Sequence, residues 1–270
     1  MKINNLQIAV DPSIGGRITS VKLGNKEFLI SKETNPFSFG STFWPSPQSV
    51  WSWPPPFNLD QAPYEVIEQK EKLILKSKVE VSLGLQSIKE ISISEKDTSI
   101  QILYSIINSS DKVNKVAPWE ITRMPKGGLV LFPKGLTSPK AKSFDPIQYK
   151  EVENILWYKI NKDEKLVNHL LSVSDGSEGW LAYTVDNFIL IKSFTDVLPD
   201  NQAPNEGEIP IYIDSKSPVV EIEVQGPFKG INPGEVFIWQ MKWYVRELPV
   251  NIKPEIGNKE LIDYIYTIVH

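Results

Sequence analysis

The residues best placed to do chemistry lie in the run Val219–Gln225. Val220, Ile222 and Val224 alternate there with Glu221, Glu223 and Gln225. A period of two predicts a strand with its polar residues on one face, neighbours on that face ~6.5 Å apart at about 3.3 Å of rise per residue. Two carboxylates and an amide facing one space can move a proton or hold hydroxyl groups. A second set, Glu120 and Arg123, sits three apart between Pro118 and Pro125. Glu120 and Glu223 would make an acid/base pair if both lined one cleft and their surroundings split their proton affinities. The competing readings are a solvated strand face for Glu223, a salt bridge for Glu221, and an internal ion pair of Glu120 with Arg123.

Other chemistries are less well served. The chain has no cysteine, which excludes thiolate nucleophiles, disulfides and zinc-thiolate sites. Its two histidines, His169 and the terminal His270, lie far apart in sequence, and His169 is expected to be structural. No phosphate-binding glycine loop or nucleophile elbow is present. The acidic stretch at 196–210 carries Asp196, Asp200, Asn201, Glu206 and Glu208, but the spacing fits no EF-hand loop. No metal and no cofactor are expected.

The elements that must position these residues read as short strands. The 270 residues are 41% hydrophobic and 23% charged, with a net charge of -4. That is an ordinary globular composition, and it lacks the basic stripe of a nucleic-acid binder. No apolar run is long enough to span a membrane as a helix. Met1–Val10 lacks a signal-peptide core, so the chain as written is expected in the cytoplasm, or in the periplasm or medium if a leader has been removed. Leu23–Lys26 reads as a hairpin turn, residues 64–107 as a meander, and GWLAY and NFILIKSF as strands around a turn at Asp186-Asn187. Residues 35–63 hold seven prolines and three of the eight tryptophans, and are predicted to form one long loop. After Gln225, the Asn232-Pro233-Gly234 turn suggests a hairpin, with Phe237, Trp239, Met241 and Trp243 on one side of its second strand. Only the tail looks helical: Asn258 would cap a helix burying Leu261, Ile262, Ile265 and Ile268. The expectation is one mostly-β domain over residues 1–270, with 255–270 as a helical tail.

Several segments, in order, resemble a known superfamily. GGRITSVKLGNKEFL resembles the opening hairpin of galactose mutarotase-like (aldose 1-epimerase-like) proteins. VAPWEITRMPKGG resembles their central segment, and VVEIEVQGP their C-terminal catalytic segment. With GSTFWPSPQ and GWLAY, the chain looks closest to an uncharacterised, domain-of-unknown-function branch. The resemblance implies a β-supersandwich of large antiparallel sheets and a carbohydrate ligand. It implies Glu223 as the base that takes a proton from the anomeric hydroxyl, and places Arg17 near the sugar. The family's partner histidine falls in the segment matched by Ile121–Pro125, where this chain has Thr122-Arg123-Met124. A second family histidine, near Gly40-Ser41, is also absent.

Three functions follow from this reading. The first is an aldose 1-epimerase-like isomerase with Glu223 as base and Glu120 or Arg123 in the partner's place. The second is a carbohydrate-binding protein that keeps the cleft without the acid. A polysaccharide lyase or hydrolase is a third. Arg123, Arg17, Gln225, Trp44, Trp51 and Trp53 are the candidate sugar contacts; the tryptophans suit the apolar faces of sugar rings, or else pin the loop against its prolines. Trp119 and Trp180 are expected in the core.

Overall fold

The computed structural model describes residues 1–141, 144–162 and 166–270. Two large antiparallel sheets dominate the described residues. The first runs Lys2–Ile3, Leu6–Asp11, Arg17–Leu23, Ser41–Ser46, Asn114–Pro125, Val219–Gln225, Ile209–Ile213, Leu170–Ser174 and Lys140–Ala141. Two short strands pair at its margins. The second sheet runs Lys150–Val152, Ile155–Lys159, Leu129–Pro133, Trp180–Val185, Phe188–Phe194, Val236–Glu247, Ser99–Asn108, Leu85–Ser94, Leu73–Lys76 and Glu65–Gln69.

The main core lies between the sheets. Ile18, Phe43, Ile222 and Val224 of the first meet Ile102, Tyr104, Trp239 and Trp243 of the second. A second cluster covers the far side of the second sheet, where the C-terminal helix Lys259–Val269 seats Leu261, Ile262 and Ile265 on Trp157, Trp180 and Ile191. Asn258 caps that helix, its side-chain oxygen accepting from the Glu260 and Leu261 N–H groups, as the sequence predicts. Trp180 lies in that second cluster, and Trp119, also buried, in a smaller cluster with Trp44 and Ile121, so both are in buried clusters as expected. No helix among the described residues is long and apolar enough to cross a membrane.

Two expectations need correction. The proline-rich stretch 35–63 contains a fully buried central strand, Ser41–Ser46. Its Pro45 stands directly opposite Pro118. Gly226 donates its N–H to the Pro118 carbonyl, so Pro118 turns its backbone groups away from the Ser41–Ser46 strand. The two prolines thus face each other where no bond between their own two strands is lost, which reconciles the pair with a sheet centre. The second correction concerns the hairpin after Gln225. Val219–Gln225 and Val236–Glu247 do have the alternation read from sequence, but they lie in different sheets. The intervening Lys229–Ile231 pairs with Asn114–Val116, and the chain then crosses over.

Candidate functional site

The site lies on the face of the first sheet turned away from the inter-sheet core. Strand register builds it in rows, because residues directly opposite one another share a face. One row is Trp44, Trp119 and Gln225; the next is Thr42, Ile121 and Glu223; a third is Arg123, Glu221 and Tyr212. The polar face predicted for Val219–Gln225 therefore exists, but it is covered rather than wet: Glu223 is 3% exposed and Gln225 2%.

Glu223 Oε2 accepts the Trp119 indole N–H at 2.6 Å. Burial pushes this carboxyl well above the ordinary carboxylate range, reinforced by the charges of Glu221 and Glu206; the Trp119 bond and the Arg123 charge oppose it. The shift favours the protonated form of Glu223 over that of an ordinary carboxylate. Gln225 Oε1 accepts from Ser46 at 2.6 Å, while its Nε2 is buried without a partner among the described residues.

Arg123 is anchored by three bonds. Its Nε donates to Glu221 Oε1 and to Ser38, both at 2.8 Å, its Nη1 donates to Thr42 at 3.0 Å, and its guanidinium lies 5.5 Å from the Trp44 ring. Arg17 lies on the same side, with Nη2 3.2 Å from both oxygens of Asp60 and its guanidinium over the Phe39 ring. Burial lowers its pKa to about 10, with Asp60 opposing. Asp60 also accepts the Trp44 indole N–H at 2.8 Å, so one carboxylate fixes both Arg17 and Trp44. The Gly15-Gly16 hairpin explains how the chain gets so close. Both residues have positive φ, and a Cβ on Gly15 would stand 2.1 Å from the Asp60 carbonyl oxygen.

The tryptophans form a cluster. Trp44 meets Trp119 edge-on at 5.4 Å, Trp51 at 5.8 Å and Trp53 at 6.0 Å. Trp51 is half-buried over Trp119 and donates its N–H to the Pro45 carbonyl at 2.9 Å. Trp53 is 70% exposed.

Glu120 is not part of this assembly. Strand alternation places it opposite Phe43 and Val224, on the inner face. It is 0% exposed, paired with Lys192 at 2.5 Å, and accepts the hydroxyls of Ser41 and Thr122. The expected Glu120–Glu223 acid/base pair is therefore not formed, nor is the alternative Glu120–Arg123 ion pair. The reason is parity: 120 and 123 differ by an odd number, so they point to opposite faces of one strand.

Sequence reasoning missed Trp119, Asp60, Ser38, Thr42 and Ser46. A register argument pairing Trp119 with Gln225 would have found the first; the others had no local signal. His169 lies at the margin of the same face, its Nδ1 accepting from Tyr212 at 2.8 Å and from the Ser215 N–H at 3.1 Å. Among the described residues no cluster of three acidic or histidine side chains could hold a metal ion.

The family described as "Domain of unknown function (DUF4380)" matches residues 36–246. The chain belongs to this family. No curated protein matches this DUF4380 chain. Among solved structures it is similar to a galactose mutarotase related enzyme from Lactobacillus acidophilus, at 12% identity and a TM-score of 0.63, covering 94% of this chain and 98% of that one. A galactose mutarotase-like protein from Clostridium acetobutylicum matches at 12% identity and a TM-score of 0.57, over 90% of this chain and 93% of that one. A TPR-domain containing protein from Parabacteroides distasonis matches at 14% identity and a TM-score of 0.66, over 98% of this chain and 50% of its own. The fold is galactose mutarotase-like, as the resemblance implied.

Proposed function

We propose that this DUF4380 chain recognises carbohydrate on the outer face of its first sheet, around Trp44, Trp119 and Glu223. The observation that carries the reading is the aromatic wall beside Glu223 and the unpaired Gln225 Nε2. Ring faces suit the C–H surfaces of a sugar, and the amide and carboxyl suit its hydroxyls. The two arginines are neutralised by Asp60 and Glu221, which favours an uncharged ligand over an anionic one.

Binding without turnover is the better supported role. Anomer exchange needs a proton taken from one oxygen and given to another, and Glu223 has no second proton-transfer group in its row. One observation favours the isomerase reading all the same: burial raises the proton affinity of the Glu223 carboxyl, which suits a group that must protonate a ring oxygen. Titration calorimetry and NMR anomer exchange on a panel of aldoses, with wild type and Glu223→Gln, test both. Saturable binding weakened by Trp119→Ala, with no accelerated exchange, supports the binding role. Exchange that Glu223→Gln abolishes would replace it with the isomerase. No binding and no exchange on any sugar would overturn both.

A further inference from the structure

The outer-face site is covered. Trp44 is 6% exposed and Trp119 8%, and Glu223 and Gln225 are less so, which means that a ligand reaches them only if something moves. What crosses the sheet identifies the cover. Ser41–Ser46, Asn114–Pro125, Val219–Gln225 and Ile209–Ile213 are four successive strands. Gln48, just after the first, donates its backbone N–H to Glu206 Oε1, just before the fourth, at 3.1 Å. That bond spans the two strands between. It cannot pass around the end of Asn114–Pro125, which runs on beyond this level to pair with Lys229–Ile231. It therefore crosses a face, and Trp51 shows which one. Its ring lies 5.8 Å from Trp44 and 6.4 Å from Trp119, on the side that carries Glu223. Glu206 is near enough for its charge to act on Glu223.

The crossing segment is lightly held. Pro47 at one end and Pro55 and Pro56 at the other are buried, whereas none of residues 48–54 is. Apart from a turn bond from the Val50 N–H to the Pro47 carbonyl, two hydrogen bonds tie it down among the described residues. One joins Gln48 to Glu206, and the other joins the Trp51 indole to the Pro45 carbonyl. A short segment with few buried contacts between two fixed ends opens at lower cost than the sheet beneath it. Trp51 meanwhile gives Trp119 the ring contact that a sugar would make, so it competes with a ligand for that platform. Gln225, directly opposite Trp119, keeps its unpartnered Nε2 for whatever enters.

We infer that residues 48–54 form a lid over the outer-face site, latched by Glu206 and seated by Trp51, and that a sugar enters by displacing Trp51 from Trp119. The identity of the ligand rests on the carbohydrate reading above; the motion does not. The latch can be cut from either side. Glu206→Ala removes the acceptor, and Gln48→Pro removes only the donor. Proline suits position 48, because Pro47 before it is extended at φ -79° and ψ 155° and residue 48 opens a helical turn.

The chain has no cysteine, so a single introduced thiol reports access to the covered face. Gln225→Cys or, as a closer match in size and shape, Ser46→Cys beside it is labelled with iodoacetamide in the full chain, alone and with each latch variant. Labelling should be insensitive to sub-denaturing urea, the mark of a local opening, and either latch variant should speed it roughly three- to tenfold, the worth of one hydrogen bond. Calorimetry with glucose, galactose and xylose, on chains without the thiol, should show binding to each latch variant tightened by a similar factor, since less of the protein starts closed. Labelling that rises with urea as global unfolding does, or that neither latch variant alters, overturns the lid. So does a sugar affinity that both latch variants leave unchanged. If no sugar binds any form, the carbohydrate reading falls, and labelling still decides the lid.

Discussion

Lys192→Met isolates the role of the polar pair sealed between the sheets. Lys192 and Glu120 are both 0% exposed and 2.5 Å apart; Lys192 also donates to the Ile222 carbonyl at 2.8 Å, and Glu120 accepts two hydroxyls. Methionine preserves the stem's volume and removes only the charge and its donors. Glu120 is then a buried carboxylate without a cation, a loss of about 3–5 kcal/mol. At this chain length that corresponds to roughly 6–15 °C in the melting midpoint. Adding Glu120→Gln should restore most of the loss, since a neutral amide oxygen still accepts from Ser41 and Thr122 and needs no cation. Urea unfolding of the two single variants and the double completes the cycle. Singles within about 0.5 kcal/mol of wild type, or a double no better than Lys192→Met, would refute the reasoning. So would loss of sugar binding in Glu120→Gln with stability unchanged, since that would return Glu120 to the site.

Asp60→Asn should free Trp44 and Arg17 together, costing about 3 kcal/mol by leaving a buried guanidinium unpaired, and should red-shift tryptophan emission. Gly15→Ala should cost more than the ~1 kcal/mol of an ordinary glycine replacement, since its Cβ meets the Asp60 carbonyl; thermal melts read this directly. Glu208, raised to about 8 by burial with Asp196 reinforcing, keeps its proton when folded between its ordinary value of 4.5 and about 8, where the unfolded chain has released it. Its contribution to stability is therefore full below pH 4.5 and lost as pH rises through 8, and Glu208→Gln should flatten that limb. Lys89, lowered to about 7 by burial, acts in the opposite sense: the unfolded chain binds the extra proton between pH 7 and 10.5, so this contribution rises over that window and should vanish in Lys89→Met.

The fold was legible where one face of an element is apolar and the other is not. Val219–Gln225 announced its two faces, and Asn258 with Leu261 and Ile265 announced the final helix. Asn114–Pro125 did not, because both its faces are buried: Trp119, Ile121 and Arg123 on one side, Glu120, Thr122 and Met124 on the other. Periodicity separates such sets but cannot say which one meets the cleft. The Ser41–Ser46 strand was hidden by prolines whose cost disappears only when they stand opposite each other, a relation between residues 45 and 118 that no local pattern contains. Asp60 and Ser38 became visible only once Arg17 and Arg123 needed partners.

The long reach of those partnerships bears on how the protein comes to be folded. Trp119 waits for Glu223 across 104 positions, Ser46 for Gln225 across 179, and Ser38 for Glu221 across 183. Such closures must be made before the contacts they permit can reward them, so the outer-face site should assemble slowly and late. A chain growing from its N-terminus has made Trp44, Trp51 and Trp119 long before residues 219–225 exist. During that interval the centre of the first sheet has an open edge beside an aromatic cluster, the kind of surface that invites aggregation. Fragments ending before Gln225 should therefore be sticky, and refolding yield should fall with protein concentration well before thermodynamic stability is affected.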